Sequence, residues 1–505
     1  MRHSRNWTIA GCVLLLLAAM TFSLGRTGHA TPGSGSGIRL EAPEKVVISI
    51  RSIPLRLSVL HFADIDTYRI LKQLHMGLLT SSFRGDLFSG VARSWQVSHD
   101  RLVYDFNLDL GLKFHSGREL QCEDVRASVA NAIETLPGSP IFSLIDDHGC
   151  LNPSVYRMRL RRASAQFLAG LAHMESSILP RETLKSADTL VGLGPYRVSS
   201  RDSESMVLER VEGHPLAHAW SPMSLKFVAQ PLPESAIGAF DKGELDIVAL
   251  YGGTANEHPR LVDSNVFFSR VWFVSFGNRL KGAGFSSSEI KCISDAIDRA
   301  KLIESIGSAA RLYAPAYGVV APYQPGYFEW EEAARDRSAS CSRPKRIDLL
   351  VITEMAKEEF VGEIRRQLAA VGLEVSITRL SKKEAIGRIV SRDYEAAFFS
   401  MGISTQPEYT LYNFYSHTSP FSISGVQNSA FKPELEFIER SRSQSSRNNR
   451  IFRLQETLHR SPSFIPLMFE RTTYLLSKCL WMGNFSIYSG TEDFKEVGQV
   501  HGCQR

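Results

Sequence analysis

Ser288-Glu289-Ile290-Lys291 has the S-x-x-K spacing of an acylating centre, in which a lysine one helical turn away takes the proton of a nucleophilic serine. Its K-T-G partner is missing, and so are the G-x-S-x-G elbow, H-E-x-x-H and the phosphate-cradling G-x-x-x-x-G-K-[ST]. His214 and His218 stand one helical turn apart, a spacing that suits two metal ligands. With His115, His148 and His258 scattered elsewhere, the pair reads as solvated loop rather than as a metal centre. These residues argue against an enzyme and call for no cofactor.

Cysteine chemistry is the other candidate. The chain has 505 residues and 7 cysteines, of which Cys12 falls in an apolar N-terminal run. Arg2 and Arg5 precede that run, which extends from Trp7 to Leu24, and Gly28-His29-Ala30 offers small residues for cleavage before Thr31. Residues 1–30 are expected to be a signal peptide and the TPGSGSG tract, 31–37, a flexible linker. An uncleaved anchor is the alternative, because the apolar run approaches bilayer-spanning length. Ile9-Ala10-Gly11-Cys12 has lipobox letters but precedes most of the apolar run, so lipidation is not expected. Loss of the leader leaves an even set of cysteines in an exported chain, which favours disulfides. Adjacency in sequence pairs Cys122 with Cys150, Cys292 with Cys341 and Cys479 with Cys503. Other pairings, and free buried thiols, stay open.

The formal charge is +5, and the leader's three arginines account for all but +2 of it. A nearly neutral mature chain makes a poor nucleic-acid binder. At 43% hydrophobic and 22% charged, it has the composition of a folded soluble protein.

The elements that must position any site are legible in the periodicity. Leu102, Tyr104, Phe106 and Leu108 alternate with polar residues, as in a strand with one apolar face. A turn follows at Asp109–Gly111, then a short strand from Lys113 that ends in a His-Ser-Gly turn at Gly117. Val125, Val129, Ile133 and Leu136 fall at helical spacing. Elsewhere the pattern predicts a strand over 45–50, a helix over 68–79 and a strand through Phe240–Ile247. It also predicts a helix over 358–371 with Phe360, Ile364, Leu368 and Val371 on one face, stopped by Gly372 and followed by a strand over 374–380. Helix and strand alternate there as in an open α/β lobe.

The stretch from 85 to 136 resembles the signature of the peptide/nickel-type extracytoplasmic solute-binding proteins, A-x-S-W-x-v-s-x-D-g-l-x-y-x-F-x-L-r-x-g-v-k-F-h-d-G-x-x-l-t-a-x-D-V-x-x-S. Ala92, Ser94, Trp95, Asp100, Leu102, Phe106, Leu108, Lys113, Phe114, His115, Gly117, Asp124, Val125 and Ser128 sit on it in order. Further along, Leu74-x-x-Gly77-Leu78, Ile178-Leu179-Pro180, Gly192-Leu193-Gly194-Pro195-Tyr196 and Ala296-Ile297-Asp298-Arg299 keep the family's order, so the likeness covers about residue 40 to the C-terminus. In the family the Gly-Pro-Tyr segment is a hinge-side turn.

The resemblance implies an α/β, two-lobed periplasmic-binding-protein clamshell of type II, cluster-C-like, with an extra inserted domain. Lobe I would comprise 38–75, 186–270 and 471–505, the inserted domain 76–185, and lobe II 271–470. It further implies a monomeric periplasmic receptor that captures a peptide-like or other small ligand and delivers it to an inner-membrane ABC permease. The alternative is a non-transporting receptor or sensor partner with a degenerate ligand site. Candidate pocket residues on this likeness are Tyr251, Trp272, Asn278, Phe399, Met401, Ile403 and Ser404, although Trp272 suits a core equally well. Peptide-binding relatives carry W-x-x-D-x-x-x-P, whose Asp pairs with the ligand's free ammonium. Counting back from Pro407 puts Ile403 at that Asp and Ser400 at that Trp. An ammonium opposite Ile403 would be unpaired, which favours ligands with a neutral or hydrophobic end unless Glu408 supplies the charge. Asp64 and Asp66 are further carboxylates without an assigned place.

Overall fold

The computed structural model describes residues 39–503 apart from 61–64, 82–85, 138, 140, 251–257, 264–267, 281–284, 328–344, 354–355, 405–406, 416–430, 442, 472 and 483–492. A seven-stranded sheet has the order Leu261–Asp263, Thr473–Leu476, Ile247–Leu250, Val46–Ile50, Ser224–Ala229, Ser205–Arg210, Tyr196–Arg201. Val46–Ile50 runs parallel to both its neighbours and reads VVISI, apolar except for Ser49, as suits a strand covered on both faces.

A six-stranded sheet has the order Tyr313–Pro315, Phe464–Glu470, Arg270–Phe276, Ala396–Gly402, Lys345–Ile352, Leu373–Leu380. Helix Glu358–Ala370 links the parallel pair at its edge and buries Phe360, Ile364 and Leu368 against it. Along Arg270–Phe276, Val271 and Phe273 enter one core while Trp272, Val274 and Phe276 enter the other. Successive side chains of a strand must point to opposite faces, so this sheet is packed on both.

The chain leaves the first sheet between Val46–Ile50 and Tyr196–Arg201 to build a four-stranded sheet, Ala92–Val97, Val103–Leu108, Val155–Leu160, Ile145–Asn152. Tyr104, Phe106 and Leu108 are buried in its core together with Val125 and Val129 of helix Cys122–Thr135. Cys122 is bonded to Cys150 and Cys479 to Cys503, with Cα separations of 6.1 and 5.5 Å. Cys292 is also disulfide-bonded, and Cys341 lies outside the described residues.

Three local expectations are corrected. The helix expected over 68–79 spans Ile65–Leu74, because the backbone beyond it is taken by other segments. Ile178 N–H donates to Met76 O at 3.0 Å, and Val91 and Ala92 donate to Gly77 and Leu78 at 2.9 Å each. Phe240 and Asp241 close helix Pro233–Asp241, so the strand starts only at Ile247. Between Lys113 and Gly117 there is a single bridge, Lys113 to Glu119, rather than a strand.

Candidate ligand-binding cleft

The chain passes between the seven- and six-stranded sheets twice, from Leu261–Asp263 to Arg270–Phe276 and from Phe464–Glu470 to Thr473–Leu476. The two passages are tied where they leave the six-stranded sheet. Ser269 N–H donates to Glu470 O at 2.9 Å, and the Arg471 guanidinium lies over the Phe268 ring at 4.7 Å. Glu470, 2% exposed, also accepts from Trp272 Nε1 at 2.6 Å. Paired linkers of this kind define a hinge, and the bodies on either side define a cleft.

The structure brings some of the expected pocket residues together and separates others. Ile403 N–H donates to Ser269 O at 3.0 Å, Ser404 N–H donates to Thr410 Oγ1 at 2.9 Å, and Gln324 Nε2 donates to Ser404 O at 2.5 Å. Met401, Ile403 and Ser404 therefore cluster where Ala396–Gly402 ends. Ile403 is buried in the core beside Phe399, whose ring meets Phe273 edge-on at 4.6 Å. Trp272 is 2% exposed on the opposite face, its ring 5.0 Å from Phe398 and 6.3 Å from Phe360. Trp272, Phe399 and Ile403, all buried, thus offer a ligand little free surface. Asn278 is exposed but lies beyond the far end of the strand, its N–H donating to Arg392 O at 2.9 Å. Arg270 pairs with Gly402 and Phe276 with Ala396, so Asn278 stands more than 20 Å from Ile403, at about 3.3 Å per residue. Tyr251, Asp64, Thr405 and Gln406 lie outside the described residues.

Residues 87–422 match the model of the bacterial extracellular solute-binding proteins, family 5. The chain belongs to this family. Among curated relatives, the HTH-type transcriptional regulator SgrR of Pectobacterium atrosepticum is 29% identical over 167 residues, 32% of this chain and 28% of that one. The glutathione-binding protein GsiB of the same organism is 23% identical over 182 residues, 34% and 35% of the two chains. The match thus spans about a third of each relative's length. Among solved structures, DppA of Helicobacter pylori in complex with the peptide STSA gives a TM-score of 0.76 at 18% identity, covering 91% of this chain and 99% of that one. The murein tripeptide binding protein MppA of Escherichia coli gives 0.76 at 15% identity, with the same coverage of 91% and 99%. AgaA, in complex with agropinic acid, gives 0.74 at 16% identity, again over 91% and 99%. These likenesses establish the two-lobed periplasmic-binding-protein fold.

In this family 5 chain Asp66 and Glu408, the two of the three considered carboxylates that lie among the described residues, are both engaged. Asp66 accepts from Arg51 Nε at 2.8 Å and from Arg69 Nη1 at 2.9 Å. Burial alone would raise its pKa, but the charges of Arg69 and Arg51 hold it below the usual range. Glu408 opens helix Pro407–Tyr415 and meets Arg447 Nε at 3.5 Å. Here burial prevails over Arg447 and raises the pKa.

Other residues of this family 5 protein, missed in the sequence, line the approach between the bodies. The rings of His173 and Tyr409 meet edge-on at 4.8 Å, joining the turn at Met174–Ser176, which packs on helix Ile65–Leu74, to helix Pro407–Tyr415. Lys72 and Glu175 act electrostatically on His173, and burial lowers the pKa of both Lys72 and His173. None of these residues stands on the signature, so only their distribution between polar and apolar neighbours could have marked them.

Among the described residues, His75, His115 and His214 have structural roles. His75 Nε2 donates to Thr189 O at 2.7 Å, His115 Nε2 to Gly194 O at 3.0 Å and His214 Nε2 to Leu193 O at 2.9 Å. A Cβ on Gly192 or Gly194 would sit 2.1 Å from Leu74 O or 2.4 Å from Gln73 O, which is why this turn needs glycine. Burial drives the pKa of His75 to about 3 and that of His214 to about 4. His218, expected in solvated loop, bonds Glu496 Oε1 at 3.1 Å and stacks on Trp220 at 4.4 Å.

Proposed function

We propose that this protein is an exported, periplasmic receptor that closes two hinged lobes over a peptide-like or other small ligand and hands it to an inner-membrane ABC permease. Lobe I would be residues 38–75, 186–270 and 471–505, with an insertion over 76–185, and lobe II residues 271–470. The observation that carries the reading is the double passage between the seven- and six-stranded sheets, which permits closure by rotation about two short linkers. Family membership and the two-lobed likeness support binding rather than catalysis.

The pocket chemistry favours ligands without a free ammonium. Ile403 is apolar, Asp66 is saturated by two arginines, and Glu408 is committed to Arg447. Among the described residues, Glu175 is a carboxylate near the His173–Tyr409 contact that forms no ion pair.

A thermal-shift screen tests this with di- to pentapeptides bearing free or acetylated amino termini, nickel chelates and haem. A ligand at one hundred times its dissociation constant should stabilise by about 2.7 kcal/mol. Stabilisation by acetylated or non-peptide ligands alone is the expected result. Stabilisation by free-amino peptides would reverse the reading of Ile403 and assign the ammonium to Glu175, which Glu175→Gln would then abolish. No shift with any ligand would favour a signalling receptor with a degenerate site.

A further inference from the structure

We propose that Arg101 is a latch that holds the two lobes closed. It lies in the turn between Ala92–Val97 and Val103–Leu108 and has a φ of 60°, a conformation that glycine enters freely and residues with a Cβ avoid. The turn enforces it. Ser98 Oγ donates to Asp100 Oδ1 at 2.5 Å, Leu102 N–H donates to Asp100 Oδ1 at 3.0 Å, and Val103 N–H donates to Ser98 Oγ at 2.9 Å. Arg101 N–H itself donates to Ser98 O at 2.9 Å. Glycine would satisfy the backbone of this turn without strain; the arginine is kept for its side chain, which within its own body bonds the buried Tyr104 hydroxyl.

The guanidinium makes further bonds. Nη2 donates to Ser164 O at 3.2 Å within the same body, and Nη1 donates to Ser441 O at 3.3 Å, 340 residues away. Ser441 is 8% exposed between helices Phe431–Arg440 and Gln444–Arg460, which pack on the six-stranded sheet. The guanidinium therefore ties the body carrying the four-stranded sheet to the opposite lobe, on the side where His173 meets Tyr409. The Ser441 carbonyl also accepts from Arg447 Nη1 at 3.3 Å, and Arg447 pairs with Glu408 at 3.5 Å. One carbonyl thus joins the latch to the arginine that serves the cleft carboxylate. A strained backbone kept for a charged contact between bodies is the signature of a conformational lock. Closing the cleft in advance raises apparent affinity, because only the closed form holds ligand tightly.

The proposal rests on the hinged reading above, and pulsed-EPR distances in the full chain test the two separately. Labels go at Gln96→Cys and Arg453→Cys, both exposed and on opposite bodies. Arg101→Gly should shift the closed-to-open ratio by about tenfold toward the longer distance, the worth of one charge-assisted hydrogen bond. Glycine accepts the backbone angle but removes the bonds to Tyr104 and Ser164 O, so the distance ratio and not the melting temperature reads the latch. Arg101→Lys, which keeps the charge but loses the fork, should fall between. If wild type shows both distances and Arg101→Gly leaves their ratio unchanged, the latch is refuted and the hinge stands. One unchanged distance in all three proteins would overturn both.

Discussion

Asp66 and Glu408 both stand in the first turn of a helix, where the partial positive charge of the N-terminus favours a carboxylate. Both are buried, at 3% and 9% exposure, and they belong to different bodies. Yet the pKa of Asp66 is lowered and that of Glu408 is raised. The difference lies in the guanidinium partners: Asp66 has two within 2.9 Å and Glu408 has one at 3.5 Å. Placement on a helix therefore does not decide the charge of a buried acid; the number and closeness of its partners do. Asp66 is a fixed structural charge, whereas burial favours the neutral form of Glu408.

The largest effect should come from removing the fixed charge. Asp66→Asn leaves Arg69, 2% exposed, without its carboxylate, and urea unfolding should show a loss of about 3–5 kcal/mol. A loss below about 1 kcal/mol would erase the contrast with Glu408.

Acid sharpens the contrast with a third kind of buried group, histidines whose Nε2 donates to a backbone carbonyl and not to a carboxylate. Folded values of about 3 for His75 and about 4 for His214 lie below the unfolded value of about 6.5. The unfolded chain therefore takes up protons first, so their contribution is full above pH ~6.5 and is lost as pH falls toward the folded values. Between pH 7 and 5 each should cost about 2 kcal/mol, measured by denaturant unfolding at the two pH values. The lowered pKa of Asp66 acts in a lower window, its contribution being present above about pH 4 and lost below it. A stability curve flat from pH 7 to 5 would mean that these imidazoles accept protons within the fold.

Glu408→Gln should have the smallest effect. An acid whose folded pKa is raised weakens the fold as pH climbs through its unfolded value toward the folded one, so the neutral amide should be neutral or stabilising by up to about 1 kcal/mol at pH 7. At pH 4 the advantage should vanish. A loss comparable to that of Asp66→Asn would show that the two acids are equivalent after all.

Where a side chain's fate followed from its own neighbours, the sequence sufficed. Alternation from Leu102 to Leu108 placed a half-buried strand, the 358–371 period gave a helix to within a residue, and adjacency found Cys122–Cys150 and Cys479–Cys503. Family motifs placed the two-lobed fold. What failed depended on distant partners. Trp272 and Phe399 belong to strands covered on both faces, so hydrophobicity carries no mark of which face a residue takes. The helix from Ile65 stops at Leu74 because the segments at 91–92 and 177–178 claim the next backbone groups. Ion pairs such as Arg447 with Glu408, and the Arg101–Ser441 bond, join residues that no local pattern relates.

The seven-stranded sheet is completed by its last-made strand. Thr473–Leu476 lies inside the sheet, bonded to Ile247–Leu250 on one side and to Leu261–Asp263 on the other. Synthesis delivers the chain from the N-terminus, so the edge of Ile247–Leu250 waits unpaired until almost all of the protein has been made. The six-stranded sheet closes in the same way, on Phe464–Glu470 between Tyr313–Pro315 and Arg270–Phe276, only a few residues earlier. An open edge is what invites mispairing and chaperone capture. Both lobes therefore stay open until the same late stretch, 464–476, has been made, and the lobe begun first is the lobe closed last.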